Sequence, residues 1–133
     1  MGELLYLDSS ALVKLVLPEA ESGALLDFIT TRPHRVTSTI SLVEVVRAAR
    51  RASDDPDVER RAREVLAAVH LLRVDESLLD AAAKAPPRGL RTLDAIHLAA
   101  VDRLGDDLGE MVVYDAVLAD AARGAGVRVV APA

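Results

Sequence analysis

The segment from residue 4 to residue 16 reads LLYLDSSALVKLV and indicates how this chain folds. Its first four residues, Leu4 to Leu7, form an apolar run of the length of a buried strand. Asp8 follows directly, and either of the two serines after it can cap a helix that continues to Val16. The segment therefore predicts a strand followed at once by a helix, which is typical of α/β proteins.

The same alternation of strands and helices continues along the rest of the chain. Further strands are predicted at residues 35–38, 71–74, 111–114 and 127–130. Further helices are predicted at residues 19–29, 40–52, 56–69, 76–85, 92–104 and 116–125. Helix 92–104 is apolar almost all round, which predicts a buried position, and Gly126 is suited to end helix 116–125. We expect one domain over residues 1–133, a three-layer α/β/α sandwich with a mainly parallel central sheet.

Composition narrows the classes of function. Aromatic residues make up only 2% of the chain, so a protein that stacks single-stranded bases on aromatic rings is not expected. The absence of cysteine excludes disulfides, thiolate metal sites and a cysteine nucleophile. The net charge of -5 gives no general attraction for polyanions, so contact with nucleic acid would need a local basic patch or a bridging metal. No apolar run approaches the roughly 20 residues that cross a bilayer, and no signal peptide pattern is visible, so we expect a cytoplasmic protein.

Four acidic residues stand in apolar surroundings, where a carboxylate is costly: Asp8, Glu44, Asp94 and Asp115. Asp8 and Asp115 each follow a predicted strand, and α/β sheets form their sites at the carboxyl ends of parallel strands. A buried carboxylate costs several kcal/mol unless a cation compensates it, and mutual repulsion adds to this cost when several meet. Hard divalent cations such as Mg²⁺ bind oxygen ligands, so the pattern predicts a metal site lined by carboxylates.

Three of these acids also fit a structural role at the start of a helix. An aspartate between a strand and a helix is a good N-cap, which applies to Asp8 and Asp115. Asp94 could be a first-turn acid that the helix dipole favours, behind a cap provided by Thr92. The residues by themselves leave both interpretations open for each of the three.

Glu44 and His97 have simpler interpretations still. On a helical wheel, Glu44 lies away from the apolar stripe of helix 40–52 and shares its face with Arg47 and Arg51. Periodicity alone therefore favours an exposed glutamate–arginine pair of little energetic weight. His97 is a single histidine on a helix predicted to be buried, and we interpret it as a satisfied core imidazole rather than as a metal ligand.

Taken together, four segments resemble the motifs of the PIN domain family, and specifically those of VapC-type toxins of toxin–antitoxin pairs. In chain order they are residues 7–19, 38–45, 93–99 and 114–126. The third, which reads LDAIHLA from Leu93 to Ala99, is the most specific of the set. The chain departs from the pattern at Val113, because many family members place serine or threonine two residues before the fourth acid.

The resemblance implies a Mg²⁺- or Mn²⁺-dependent endoribonuclease. It implies that Asp8 and Asp94 are direct metal ligands, and that Asp115 is a ligand through water or to a second ion. Against the helical wheel, it also implies that Glu44 points into the site and orients or deprotonates the attacking water. Crowding with other carboxylates should raise the pKa values in this site, which suits proton handling by Glu44. A metal ion would lower the pKa of bound water and clamp the phosphoryl oxygens, and either one or two ions would satisfy this chemistry.

The partners implied are an RNA substrate, a cognate antitoxin and a second copy of the chain in a homodimer, with no membrane. Two alternatives are a catalytically inactive PIN-like interaction module and a phosphotransfer protein that uses Asp8 as nucleophile. Dehalogenase-like phosphotransfer proteins usually have a second acid two residues later, where this chain has Ser10. Receiver-like proteins use a late-strand lysine, whereas the lysines here are Lys14 and Lys84. Metal-dependent cleavage of RNA distinguishes the three possibilities.

Overall fold

Five short, mostly apolar segments form the central sheet of the computed structural model, which describes residues 2–133. The strands are β1 Leu4–Leu7, β2 Arg35–Ser38, β3 His70–Leu72, β4 Leu108–Val112 and β5 Val129–Val130. They lie in the order β3-β2-β1-β4-β5, and every neighbouring pair is parallel. A parallel sheet of this kind is covered on both faces, which explains why β1 is apolar throughout.

Seven helices within residues 2–133 cover the two faces of the sheet. They are α1 Ser9–Val16, α2 Ser22–Thr30, α3 Ile40–Ala52, α4 Pro56–Ala67, α5 Glu76–Lys84, α6 Thr92–Leu104 and α7 Ala116–Gly124. Helices α1 to α4 share a core with Leu5 and Leu7, whereas α5 to α7 share a core with Tyr6 and Met111. Successive residues of β1 thus serve opposite layers, as the pleat of a strand requires. The predicted three-layer α/β/α sandwich with a parallel sheet is confirmed.

Strand β4 begins earlier and ends earlier than the apolar run 111–114 predicts. Its pairing with β1 begins at Leu108 and includes Glu110, with an irregularity in the register between them. Gly109 stands at this irregularity, where a Cβ atom would collide with the carbonyl oxygen of Gly2. Strand β3 is displaced in the same direction, because its pairing with β2 begins at residue 70 rather than at residue 71. Backbone pairing, and not the apolar run, decides where both strands begin.

Helix α2 also starts later than predicted, at Ser22 instead of residue 19. The Ser22 hydroxyl accepts a hydrogen bond from the Glu19 N–H at 2.9 Å and donates to the Lys14 carbonyl at 2.6 Å. These two bonds fix residues 19–21 in the connection between α1 and α2, so the helix begins only after them.

Asp8 and Asp115 both cap helices, as their structural interpretation predicts. The Asp8 carboxylate accepts a hydrogen bond from the Ala11 N–H at 3.0 Å and begins α1, so the prediction that a serine caps this helix is wrong. Asp115 begins α7 and accepts from the Val117 N–H at 3.3 Å. One carboxylate oxygen is enough for a cap, so capping leaves the second oxygen of each side chain available for other contacts.

Helix α6 is the most deeply buried helix of its layer, as predicted, with every residue from Ala95 to Val101 buried. It begins after Arg91 without a side-chain cap, so the predicted Thr92 cap is wrong. Gly126 follows the end of α7 with a φ of 84°, which confirms the prediction for its position. Within residues 2–133, no helix combines the length and the apolar composition needed to span a membrane.

The strand order places β1 between β2 and β4, so the chain proceeds from β1 to one side of the sheet and later returns to the other side. At such a switch point the connections diverge and a crevice opens beyond the carboxyl ends of the strands. Asp8 follows β1, and Asp115 lies three residues after the end of β4. Asp8 and Asp115 therefore both lie at this crevice.

Candidate active site

Asp8 is almost completely buried at the carboxyl end of β1, with 3% of its surface exposed. The Ser10 hydroxyl contacts both carboxylate oxygens, at 2.7 Å from Oδ1 and 2.9 Å from Oδ2. Burial raises the pKa of Asp8 to about 6, although the hydrogen bond from Ser10 favours the ionised form. An ionised carboxylate in this position would be stabilised by a cation.

Glu44 lies in the second turn of α3, and 23% of its side chain is exposed. Its Oε1 atom accepts a hydrogen bond from the Ser9 hydroxyl at 2.6 Å and lies 2.8 Å from Nε2 of His97. The interpretation of Glu44 as an exposed partner of Arg47 is therefore wrong.

The protonation of Glu44 also differs from expectation. Burial raises the pKa of this carboxyl, but hydrogen bonds from His97 and Ser9 outweigh burial and leave the pKa below its usual value. We expected crowding to raise the pKa of Glu44, and this expectation is wrong. Glu44 is held as a carboxylate, which makes it a good hydrogen-bond acceptor and a weak base.

Asp94 and Asp115 stand at the N-terminal ends of α6 and α7. Asp94 is half-buried, whereas Asp115 is exposed. Burial raises the pKa of Asp94, and the negative charge of Asp115 raises it further. The two carboxylates are therefore close enough to repel each other.

Electrostatic coupling links all four acids. The charge of Glu44 contributes to the raised pKa of both Asp8 and Asp94, and Asp94 is coupled to Asp115. The fold thus gathers acids from β1, α3, α6 and α7 at one edge of the sheet. In the part of the chain that the structure describes, residues 2–133, no three acidic or histidine side chains already form a group that could hold a metal ion. The oxygen donors suit a hard cation, but their side chains would have to draw together to bind one.

His97 is the residue of the site whose contacts the sequence could not show. It is a satisfied core imidazole, as interpreted, with 2% exposed and with Nδ1 lying 2.7 Å from the Tyr6 hydroxyl. Its other nitrogen, Nε2, faces Glu44 and also lies 3.2 Å from the Ser9 hydroxyl. The only signal in the sequence is its position one helical turn after Asp94, within the most specific motif.

Residues 5–124 match the family model described as PIN domain. The chain belongs to the PIN domain family. The matched range contains all four site acids, and the resemblance noted in the sequence is confirmed.

Two relatives match this PIN domain over almost its whole length. It is 49% identical to Ribonuclease VapC46 of Mycobacterium tuberculosis (strain ATCC 25618 / H37Rv) over 129 residues, which cover 96% of this chain and 97% of the relative. It is 39% identical to Ribonuclease VapC35 of the same strain over 133 residues, which cover 97% of each chain. Both alignments therefore extend over almost the whole length of each protein.

Two solved structures share the fold of this PIN domain. Mycobacterium tuberculosis VapC20, described as a sarcin-ricin loop cleaving toxin, superposes with a TM-score of 0.74 at 20% identity, covering 96% of this chain and 99% of that one. A toxin–antitoxin complex from Klebsiella pneumoniae superposes with a TM-score of 0.72 at 22% identity, covering 97% and 98%. At these identities the superpositions demonstrate a common fold.

A cavity of about 660 Å³ lies beside Glu44 in this PIN domain. Three basic side chains, Lys14, Arg47 and Arg51, contribute to its wall. Two glutamates engage Lys14 at 2.9 and 3.0 Å. By contrast, Arg47 and Arg51 are exposed and form no ion pair with any residue among 2–133. The cavity therefore combines a site carboxylate with two available guanidinium groups.

The position that carries serine or threonine in many PIN domains is filled here by a core residue. Val113 is 1% exposed and belongs to the core shared with α5 to α7. The nearby hydroxyl comes from Ser10, which accepts a hydrogen bond from the Tyr114 N–H at 3.2 Å while contacting Asp8. Ser10 thereby ties the segment before Asp115 to the end of β1.

Proposed function

We propose that this PIN domain is a divalent-metal-dependent endoribonuclease and the toxin of a toxin–antitoxin pair. The observation that carries the proposal is the placement of the four acids. Asp8 and Asp115 follow the neighbouring parallel strands β1 and β4. The contact of Glu44 with His97 brings α3 against the first turns of α6, where Asp94 lies. The names of the relatives at 49% and 39% identity support RNA as the substrate.

Asp8, Asp94 and Asp115 would hold a Mg²⁺ or Mn²⁺ ion, since carboxylate oxygens are the ligands that hard cations prefer. The raised pKa values of Asp8 and Asp94 support this role, because burial and neighbouring negative charge destabilise both carboxylates in the absence of a cation. When bound, such an ion supplies positive charge to the phosphoryl group and lowers the pKa of water. Asp115 is the most exposed of the three and would complete the site from the solvent side.

Glu44 would orient the attacking water. Its Oε1 atom is held by Ser9 and His97, whereas Oε2 accepts no hydrogen bond from residues 2–133. A carboxylate with a lowered pKa stays ionised and accepts a hydrogen bond from water through its second oxygen. The geometry therefore favours positioning of the water over its deprotonation by Glu44.

Arg47 and Arg51 would bind the phosphates of the RNA strand. Both lie on α3, at three and seven residues after Glu44, and both line the cavity beside it. Guanidinium groups bind phosphate oxygens in bidentate geometry, which suits a backbone contact without base specificity. A local pair of this kind compensates for the overall charge of -5.

The antitoxin and a second copy of the chain are the proposed protein partners. A segment of the antitoxin with an arginine or lysine directed at the four acids would neutralise the site and exclude substrate at once. For the homodimer, α3 offers Leu42 and Val43, which are 36% and 55% exposed. Both apolar residues directly precede Glu44, so a dimer contact there would adjoin the site.

The variant Asp94→Asn tests the proposed activity. We expect RNA cleavage in Mg²⁺ to fall by at least about 100-fold, because the amide keeps the shape of the side chain and removes a negative ligand. Asp27→Asn, at an exposed position of α2, is the matched control and should leave cleavage unchanged. Full activity of Asp94→Asn would exclude this assignment. Wild-type protein that binds RNA and antitoxin without cleaving would instead identify an inactive interaction module.

A further inference from the structure

Two chains of buried hydrogen bonds converge on a single oxygen, Oε1 of Glu44. The first runs from the Tyr6 hydroxyl to Nδ1 of His97 at 2.7 Å, and from Nε2 of His97 to Glu44 at 2.8 Å. Tyr6 is fully buried and His97 is 2% exposed. The imidazole is therefore held at both nitrogens, by a strand residue on one side and by Glu44 on the other.

The second chain is built from hydroxyl groups. Thr37 lies 2.7 Å from Ser41, Ser41 lies 3.1 Å from Ser9, and the Ser9 hydroxyl donates to Glu44 at 2.6 Å. All three hydroxyl residues are buried. The two chains tie Glu44 to β1, α1, β2 and α6, which are elements of both helical layers and of the sheet between them.

The carboxylate of Glu44 fixes the direction of the bonds that reach it, and a neutral imidazole extends that direction to Tyr6. An ionised carboxylate only accepts hydrogen bonds, so Ser9 and Nε2 of His97 must both donate to Glu44. With its proton on Nε2, a neutral imidazole has an unprotonated Nδ1 that can only accept. In that form the Tyr6 hydroxyl donates to Nδ1, so Tyr6 and Glu44 both favour the neutral Nε2–H form of His97.

We propose that His97, fixed by Tyr6 in the Nε2–H form, is a positioning residue that holds Glu44 in the orientation required for the reaction. The inference rests on the proposed nuclease function, in which Glu44 orients the attacking water. It adds a role for Tyr6 and His97, which are not among the four site acids. It requires that Glu44 depends on the hydrogen-bond donor at Nε2 and not on the bulk of the imidazole.

Two amide variants of His97 distinguish the effect of the hydrogen-bond donor at Nε2 from the effect of the size of the imidazole. In His97→Gln, the amide NH₂ can occupy the place of Nε2 and donate to Glu44, whereas in His97→Asn it lies near Nδ1 and Glu44 loses its donor. We expect His97→Gln to cleave within about 3-fold of wild type and His97→Asn to be about 10- to 100-fold slower, the usual effect of losing such a supporting bond. Equal rates for the two variants, with both folded, would overturn the proposal.

Tyr6→Phe tests the selection of the imidazole form and covers the case in which His97→Asn does not fold. In an otherwise wild-type chain, Tyr6→Phe should slow cleavage, because His97 can then place its proton on Nδ1 and lose its bond to Glu44. In the His97→Gln background, the same substitution should change the rate by less than about 2-fold, since an amide has no tautomer to select. An equal effect in both backgrounds would show that Tyr6 acts only through packing.

A nitrogen NMR spectrum of the metal-free protein gives a readout that is independent of cleavage. The chemical shifts of ¹⁵N-labelled imidazole should show His97 protonated at Nε2 and unprotonated at Nδ1 in the wild type, and a mixture of forms in Tyr6→Phe. His34 and His70 are exposed and serve as references in the same spectrum. An Nδ1–H form or a doubly protonated imidazole in the wild type would contradict the inference.

The same cleavage assay distinguishes failure of the inference from failure of the proposed function. If Asp94→Asn cleaves RNA as well as the wild type, the nuclease assignment fails, and the role of His97 falls with it. If Asp94→Asn is inactive while His97→Asn and His97→Gln are equally active, the nuclease assignment stands and the positioning role alone is refuted.

Discussion

Replacing Asp8 with asparagine should stabilise the metal-free protein while abolishing its activity. Asp8 is 3% exposed, and its pKa rises from 3.8 to about 6, mainly because of burial. A rise of this size corresponds to about 3 kcal/mol between the two protonation states. Part of this free-energy cost is recovered when the substitution removes the buried charge. The cap of α1 is kept, because asparagine caps a helix as well as aspartate does. The Ser10 hydroxyl loses a charged acceptor, so we expect a net gain of about 1–2 kcal/mol, or roughly 4–8 °C.

The destabilisation caused by the Asp8 carboxylate should depend on pH. Since the folded state raises the pKa of Asp8, the folded protein holds a proton that the unfolded chain has already released between about pH 4 and pH 6. The cost of Asp8 is therefore absent below pH 3.8, grows as the pH rises through this window, and is complete above about pH 6. The advantage of Asp8→Asn should be present at pH 7.5 and should nearly vanish at pH 4.

Urea unfolding with a chelator present, at both pH values, measures the difference directly. Asp27→Asn is the control for loss of one negative charge at an exposed position. Added Mg²⁺ should stabilise the wild type and not Asp8→Asn, because only the wild type keeps the complete ligand set. A destabilised Asp8→Asn whose deficit is the same at pH 4 and pH 7.5 would refute the reasoning, since capping and the Ser10 contact would then outweigh the cost of the buried charge.

Three further outcomes are expected. Glu44→Gln should lower the cleavage rate roughly 10- to 100-fold, because a neutral amide holds the attacking water less strongly than a carboxylate, whereas the exposed control Glu64→Gln should not; a silent Glu44→Gln would remove Glu44 from the reaction. Val43→Asp should turn a dimer into a monomer in sedimentation, and a wild-type chain that is monomeric at micromolar concentration would contradict the dimer. Antitoxin and Mg²⁺ should compete for the site, and the double variant Asp8→Asn/Asp94→Asn should bind antitoxin more weakly; tight binding that is insensitive to both would locate inhibition elsewhere.

The sequence predicts those parts of the site that depend on local order along the chain. Asp8 and Asp115 each come shortly after a strand, and parallel strands bring their carboxyl ends to a common edge. For this reason the fold class and the convergence of these two acids could be predicted from apolar runs and turn residues. The limits of β4 could not, because Leu108 and Glu110 pair with β1 on either side of the irregularity at Gly109, and this segment does not resemble a strand.

Contacts between layers are where prediction from the sequence fails. A helical wheel of α3 compares Glu44 only with its own helix, and so it assigns the side chain to the surface. In the structure, a residue from the opposite layer, His97, reaches Glu44 and lowers its pKa. The partner that holds His97, Tyr6, is 91 residues away in the chain. A contact between two residues this far apart in the chain produces no local pattern in the sequence from which it could be predicted.

The four acids come from positions 8, 44, 94 and 115 of the chain, and they meet only at the edge of one sheet. During synthesis, a growing chain on the ribosome therefore cannot assemble the site until β4 has paired beside β1 and the segment that contains Asp115 has emerged after it. Fragments that end before residue 108 contain β1 and several helices but lack both β4 and Asp115. Any activity of the proposed site is thus confined to chains that extend at least to Asp115.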